Sequence, residues 1–284
     1  MSTPTAIPVR RIRFEHPEGA LEALFVDDDL ILSHLVAVLS AVFPEGERFF
    51  IESVKYYTDR IEDPELKQAV KGFIGQEVTH GREHDALNER LHDMGYPTRR
   101  VDAFVRWLLF KLPEKRWMKT SPRFDLAVTA ALEHYTASLA EMVLTEPEVQ
   151  RLLGDTSVRE VLMWHAVEEN EHKAVAFDVY RAIGGTEKMR IRTLRFVNVA
   201  FLGLITAMTL LSMLRDRRTY SPVRLARSVR TVWSSPLVTM KLVRAIHEYA
   251  RVGFHPDDHD TTELISTWRE QLFGDQGELV ANLR

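Results

Sequence analysis

Two E-x-x-H pairs, far apart in the chain, constrain the fold more than any other feature of this sequence. Glu77 and His80 form the first pair, and Glu169 and His172 form the second. Residues three apart lie on one face of an α-helix, so each pair can present a carboxylate and an imidazole to the same point. Both pairs interrupt apolar helical stripes, where an uncompensated charge would be costly. The fold must therefore bring these groups together and neutralise them.

A single glutamate in an apolar helical setting precedes each pair. Glu47 lies at helical spacing with Phe50, and Glu133 lies among small residues such as Ala130 and Ala137. The chain thus repeats one order: a lone glutamate on one helix, then E-x-x-H on the next. A glutamate from each of two helices and E-x-x-H from each of two others is the pattern of ferritin-like di-iron bundles.

A third imidazole extends the second pair, because His165 lies one turn before Glu169. Glu168 also faces inward and could replace Glu169, but Glu169 keeps the i, i+3 geometry of the other half. His84 lies one turn beyond His80 and is expected beside the ligands rather than among them. The predicted ligands are Glu47, Glu77, His80, Glu133, His165, Glu169 and His172.

Two divalent ions would cancel the charge of four carboxylates. Buried carboxylates without a cation repel each other, which raises their pKa values. Mixed carboxylate and imidazole ligation favours iron, with manganese as the alternative. We therefore expect two iron ions at this cluster.

Capping signals predict long helices around the cluster. Asp63 and Pro64 are typical of a helix start, and Gly95 of the end of the same helix. Ser121 and Pro122 predict another start. No convincing strand pattern is present, so we expect an all-α fold.

Pro44 is predicted to break the helical pattern of residues 28–60, because proline disfavours a continuous helix. A single fourth helix is predicted over residues 155–185. The expected divisions are an irregular N-terminal arm (1–24), a ferritin-like di-metal four-helix bundle (25–185) and additional C-terminal helices (186–284).

The C-terminal region contains a largely apolar run, Phe196–Leu214, with arginines on both sides. The run is just long enough to span a bilayer, but polar residues dilute it and its flanks lack charge asymmetry. We expect a helix buried on the bundle or in a homodimer seam. The second interpretation is peripheral membrane contact through residues 190–230, and a true span is the third.

Several polar residues lie off the apolar stripes. Glu45, Glu171 and His134 are predicted to be solvated. His247, His255 and His259 lie in a polar C-terminal stretch and are expected at the surface.

Composition excludes several classes of function. The net charge of −4 argues against a nucleic-acid partner. No cysteine is present, which excludes disulfides, zinc–thiolate sites and thiol catalysis. The N-terminal residues lack the apolar segment of a secretory signal, so a cytoplasmic location, with membrane association as the alternative, is expected.

Four stretches resemble the bacterial family of predicted metal-dependent hydrolases, which is placed in the ferritin-like superfamily. They are FPEGERFF, FIGQEVTHGREH, ALEHYTASLAE and WHAVEENEHKAVAFDVY. The ligand set also resembles that of the di-iron N-oxygenases that oxidise arylamines. The rest of the sequence is not close to those enzymes, so their substrate class does not transfer.

Three functions follow from these features. The first is a di-iron oxygenase or oxidase that uses O2 to oxidise a small organic substrate and needs an external electron donor. The second is a dinuclear hydrolase that uses a metal-bound hydroxide. The third is a non-enzymatic iron or oxidative-stress protein. The third histidine, His165, favours the first over a generic ferritin-like bundle.

Overall fold

The regular structure of this protein is α-helical. The computed structural model describes residues 7–114, 120–154, 156–235 and 239–284, so the first six residues of the predicted arm lie outside the described residues. Within those ranges the strand-like pairing is limited to one bridge between Ile12 and Leu283, and the all-α prediction is confirmed. The α-helices are α1 (Leu30–Lys55), α2 (Pro64–Asp93), α3 (Thr98–Arg106), α4 (Pro122–Thr145), α5 (Pro147–Leu153), α6 (Ser157–His172), α7 (Val175–Ala182), α8 (Glu187–Met213), α9 (Pro222–Ser234), α10 (Met240–Glu248) and α11 (Thr262–Phe273).

The predicted capping signals are confirmed. The Asp63 side chain accepts a hydrogen bond from the Glu65 amide at the start of α2. Gly95 follows the end of that helix with a φ of 100°, a conformation that favours glycine. At α4, the Ser121 hydroxyl accepts from the Phe124 amide.

The predicted break at Pro44 is wrong, because α1 continues through it. Proline has no amide hydrogen, so the Ser40 carbonyl loses its usual helical donor. The side-chain amide of Asn88 on α2 donates to that carbonyl at 3.0 Å. A contact between helices thus satisfies the group that proline leaves unpaired, and the helix is not interrupted.

The predicted fourth helix is two helices, since α6 ends at His172 and α7 begins at Val175. The buried Lys173 lies at the break, and its ammonium donates to the His259 carbonyl and the Thr261 hydroxyl. The interruption comes directly after the second E-x-x-H pair, which remains wholly within α6.

Four segments enclose the interior that holds the predicted ligands. α1 packs on α2 and on α4, and α6 packs on the same two helices. Each of the four carries its predicted ligands on the side that faces the others. Apolar clusters lie at both ends of this interior, with Trp164 in one cluster and Phe73 in the other.

The N-terminal arm lies against α2 at two glycines. A Cβ on Gly72 would lie 2.6 Å from the Ile7 Cβ, and a Cβ on Gly75 would lie 2.5 Å from a Val9 methyl. The absence of side chains at these positions lets the arm approach α2 closely. This approach places Arg10 next to α6.

The C-terminal residues pair with the backbone of the arm. The Arg13 amide donates to the Asn282 carbonyl, and the Arg284 amide donates to the Arg11 carbonyl. Trp268 of α11 belongs to the same apolar cluster as Trp164. The C-terminal residues therefore hold the arm in place from outside.

Among the described residues, two helices are long and apolar enough to cross a membrane, judged by length and composition alone. The first spans Leu30–Arg60, and 56% of its most apolar window is buried in the protein. The second is α8, whose window is only 28% buried. The expectation that the apolar run of α8 is buried holds for one face of the helix only.

Candidate metal centre

All seven predicted ligands lie in one buried cluster between α1, α2, α4 and α6. None of the seven exposes more than 3% of its surface. Their donor atoms, together with those of His84, form overlapping groups of three. The atoms within each group are close enough to bind one ion. These groups are Glu77–Glu133–His172, Glu47–Glu77–His80, His80–His165–Glu169 and Glu47–His84–His165.

One half of the cluster is centred on His172. Its Nε2 lies 3.1 Å from Glu77 Oε1 and 3.5 Å from Glu133 Oε2. Glu169 Oε2 lies 3.8 Å from the same nitrogen. One imidazole and three carboxylates thus surround a single point.

The other half contains His165 and His80. His165 Nε2 lies 2.7 Å from Glu169 Oε1 and 3.7 Å from Glu47 Oε1. His80 Nδ1 lies 3.8 Å from Glu77 Oε1 and 3.8 Å from Glu169 Oε1. Because Glu77 and Glu169 approach both halves, these two carboxylates are placed to bridge two ions.

Orphaned polar atoms concentrate in this cluster. Both carboxylate oxygens of Glu47, Glu77 and Glu133 are buried without a hydrogen-bond partner. Buried polar groups in native proteins are almost always paired, and an unpaired carboxylate is especially costly. Cations at the centre of the cluster would satisfy them, so the donor set fits two divalent ions. The other orphaned donors are His80 Nδ1, Glu169 Oε2 and His172 Nε2.

Burial and mutual repulsion shift the pKa values of the carboxylates in the cluster. Burial, followed by repulsion from Glu77, raises the pKa of Glu47 and of Glu133 well above the usual range. Burial would also raise the pKa of Glu169, but contacts with His165 and His172 hold it well below its usual range. The cluster therefore carries more acidic groups than its own histidines can neutralise.

Each histidine is oriented through its other ring nitrogen. His80 Nε2 lies 3.0 Å from Glu168 Oε2, so it donates there and leaves Nδ1 for the cluster. His172 Nδ1 donates to Gln76 Oε1 at 2.8 Å and leaves Nε2 for the cluster. Such partners fix the tautomer and the ring orientation of metal-binding histidines.

His165 is oriented by His84. The Nδ1 atom of His165 lies 2.7 Å from Nε2 of His84, and Nδ1 of His84 lies 2.9 Å from the Ser40 hydroxyl. His84 therefore lies beside the cluster and contacts His165, one of the predicted ligands. A ring nitrogen of His84 also lies close enough to donor atoms of Glu47 and His165 to share an ion with them. His84 is therefore nearer to the cluster than the sequence indicated.

Arg10 connects two of these supports. Its guanidinium donates to Glu168 at 2.8 Å and to both oxygens of Glu171 at 2.6 and 2.8 Å. Glu171 also accepts from the Gln76 amide at 2.6 Å, and Gln76 orients His172. One residue of the arm thus supports both E-x-x-H histidines, His80 through Glu168 and His172 through Glu171 and Gln76.

The contacts of Arg10 and Gln76 with the cluster were not predicted from the sequence. Gln76 had a signal, because it lies directly before Glu77 and four residues before His80, on a helix already known to carry ligands. Arg10 had none, because it lies in an irregular segment far from α6 in sequence.

The predicted solvation of Glu45, Glu171 and His134 is wrong. Glu45 is buried and accepts from Arg106 of α3. The Glu171 side chain is 1% exposed beneath Arg10. His134 is buried and donates to the Ala245 carbonyl. Elements from outside the four segments cover these helix faces, which a helix-by-helix pattern does not reveal.

The C-terminal histidines behave as predicted. His247 is exposed, and His255 and His259 are partly exposed. His255 contacts Asp178, and His259 contacts Glu248.

The protein family of this chain follows from a match to a family sequence model. The sequence model of a family described as predicted metal-dependent hydrolase matches residues 8–260. The chain belongs to that family. No curated protein and no solved structure matches it.

Membership confirms the resemblance to predicted metal-dependent hydrolases. The matched region includes most of the arm, all four segments that carry the predicted ligands and most of the C-terminal helices. The description indicates an enzyme that depends on a metal, and it favours the hydrolytic alternative over oxygen activation. The placement in the ferritin-like superfamily and the likeness to di-iron N-oxygenases stay predictions.

Proposed function

We propose that this protein is a dinuclear metal-dependent hydrolase whose ions are held by the seven ligands predicted from the sequence. The observation that carries the proposal is the convergence of orphaned carboxylate and imidazole atoms at one buried point. Family membership supports a hydrolytic reaction. The ions would lower the pKa of a water molecule and polarise the bond to be cleaved.

The residues of the chain contribute position and exclusion of bulk water. Glu168, Gln76 and His84 each orient one histidine. The rings of Trp164 and Phe43 cover the imidazoles, at 4.9 Å from His80 and 4.8 Å from His165 respectively. In such a buried site, charges act more strongly than they do in water.

Oxygen activation by two iron ions is the second candidate, and the burial of the cluster favours it. Ligands that expose at most 3% of their surface suit a co-substrate as small as O2. The donor set of four carboxylates and three imidazoles also suits iron or manganese. This reaction would need a small organic substrate and an external electron donor.

One experiment separates the two candidates. Metal-free protein is loaded anaerobically with Mn(II), Zn(II) or Fe(II), and the bound metal is counted. Turnover of chromogenic esters or phosphoesters without O2 supports hydrolysis. The second candidate is supported instead if the Fe(II) protein shows a transient visible absorption on mixing with O2 and no ester or phosphoester is turned over anaerobically.

A cluster that retains less than one ion per chain would contradict both candidates. The test variant is Glu133→Gln, which removes one predicted carboxylate ligand and keeps the size of the side chain. Loss of turnover in this variant with every metal ties the activity to the cluster.

A further inference from the structure

The outer face of α8 is apolar and exposed over most of its length. No charged residue occurs between Arg195 and Arg215. A helix that faces water normally carries charged side chains on its outer face. The large apolar residues of this face expose more than half of their surface. They are Phe196, Val199, Leu202, Leu210, Leu211 and Leu214.

The inner face of α8 is held by protein. Leu194, Val197, Ile205 and Met213 are buried, and the helix packs on α1 and α4. A transmembrane helix would be surrounded by lipid or by other membrane-embedded helices. Because its inner face packs on α1 and α4, only the outer face of α8 is free to meet a membrane.

Unpaired cations lie at both ends of the apolar face. Arg192 and Arg195 precede it, and Arg215 and Arg217 follow it, all four exposed. Among the described residues, none of these arginines forms an ion pair. The run of nineteen residues between the two groups is about 28 Å long at 1.5 Å per residue. The surface thus combines an apolar centre with cationic ends.

This charge distribution disfavours a second copy of the chain as the partner. Antiparallel pairing of two α8 helices would place Arg192 and Arg195 opposite Arg215 and Arg217. Parallel pairing would place each arginine group opposite its own copy. Either arrangement opposes like charges, whereas the phosphates of an anionic lipid surface would neutralise both groups.

We propose that the outer face of α8 docks on the surface of an anionic lipid bilayer. The helix lies along the surface, its apolar side chains enter the boundary between headgroups and acyl chains, and its terminal arginines contact lipid phosphates. The metal centre remains outside the bilayer. This inference does not depend on which reaction the centre performs.

Cosedimentation of the full chain with lipid vesicles tests the proposal. The protein is expected to bind vesicles of equal parts phosphatidylcholine and phosphatidylglycerol and to bind phosphatidylcholine alone much more weakly. Val199→Glu places a charge in the apolar face and is expected to weaken binding about tenfold or more. Replacing Arg195 and Arg215 with glutamine is expected to weaken binding roughly fivefold per arginine.

Val252→Glu is the matched control. Val252 is 78% exposed, compared with 77% for Val199, but it lies in the turn after α10. The control is expected to bind as the unmodified protein does. Leu202→Ser is a second face variant with no added charge, and thermal unfolding checks that all variants are folded.

Two results would overturn the proposal. One is failure of the unmodified protein to bind the anionic vesicles. The other is a homodimer in sedimentation velocity that Val199→Glu dissociates, with vesicle binding unaffected, which would assign the face to a second copy of the chain.

Discussion

His80 donates to Glu168 across the interface between α2 and α6, at 3.0 Å between Nε2 and Oε2. This contact turns the other ring nitrogen of His80 toward the cluster, 3.8 Å from Glu169 Oε1. The adjacent residues Glu168 and Glu169 thus lie next to different ring nitrogens of His80. Glu169 faces the orphaned donors, and Glu168 lies behind a histidine, where Arg10 neutralises it.

Glu168→Gln and Glu169→Gln are therefore expected to differ in metal content. Glu168→Gln should keep two ions and bind them about 10- to 100-fold more weakly, since it removes only an orienting carboxylate. Glu169→Gln should retain at most one ion, because it removes a carboxylate that approaches the histidines of both halves of the cluster. Metal analysis after dialysis against graded chelator measures both. Loss of both ions in Glu168→Gln alone would reverse the assignment.

His165 and His84 form a similar pair. We expect His165→Ala to lose one ion, because His165 is the imidazole nearest Glu47 in its half of the cluster. His84→Ala should keep both ions at lower affinity, since the ring nitrogens of His84 contact His165 and the Ser40 hydroxyl. Ion stoichiometry by elemental analysis and affinity by competition distinguish the two. Two tightly held ions in His165→Ala would show that the third histidine is not a ligand.

Arg10→Gln tests the role of the arm. The Arg10 side chain is 12% exposed, and it pairs with two carboxylates that are at most 1% exposed. Removing one partner of a buried ion pair costs about 3–5 kcal/mol. In this variant Glu168 loses its arginine partner, whereas Glu171 keeps its ion pair with Arg269. We expect a loss of that order in the free energy of unfolding, together with weaker metal binding. Chemical denaturation measures the first and chelator competition the second.

Arg13→Gln is the control for Arg10→Gln. Arg13 belongs to the same arm but is exposed, and its described contacts are made by its backbone. Its substitution should leave stability within about 0.5 kcal/mol of the unmodified protein. An equal loss in both variants would assign the effect to the arm in general rather than to the Arg10 ion pairs.

Glu133→Gln should change stability in opposite directions with and without metal. In metal-free protein at pH 7, burial and repulsion from Glu77 raise the pKa of Glu133, so its ionised form is disfavoured. The neutral amide removes that repulsion and should raise the free energy of unfolding of the metal-free protein. With Mn(II) or Zn(II) present, the variant should be less stable than the unmodified protein, because it gains less from metal binding.

Thermal unfolding with excess chelator and with excess metal checks this sign reversal. A variant that is destabilised under both conditions would mean that Glu133 has a structural role independent of metal.

The stability of the protein at low pH should depend on His134. Burial lowers its pKa to about 4, below the ordinary value of about 6.5 in the unfolded chain. Its contribution is fully present above pH 6.5 and is lost as the pH falls toward 4. Over that range the loss amounts to about 3 kcal/mol.

His134→Gln keeps a donor for the Ala245 carbonyl and cannot titrate. We expect the variant to be less stable than the unmodified protein at pH 7 and the difference to shrink as the pH falls to 4. His247→Gln, at an exposed histidine, is the control. Denaturation at several pH values measures both, and parallel pH profiles for His134→Gln and the unmodified protein would contradict the prediction.

Much of the site could be predicted because its signals are local. Helical spacing alone placed Glu77 with His80 and Glu169 with His172, and the caps at Asp63 and Ser121 located two helix starts. The prediction failed where a distant group changes the local outcome. Pro44 does not break α1, because Asn88 of another helix pairs with the carbonyl that proline leaves free.

The same distinction explains the missed residues. Arg10 reaches Glu171 from 161 positions away in the chain, and no periodicity within a helix encodes such a contact. Glu45 and His134 point away from the apolar stripes of their own helices, yet α3 and α10 cover them. Burial of a helix face depends on every element packed around it.

The sequence by itself determined the helical class and the set of side chains able to bind metal, because helix spacing and ligand chemistry are properties of neighbouring residues. Only the tertiary structure decided which ring nitrogen of each histidine faces the cluster and which face of α8 remains exposed. It also decided that Glu169 faces the cluster and that Glu168 lies behind His80. These features depend on contacts between segments far apart in the chain, and such contacts exist only after the helices have packed.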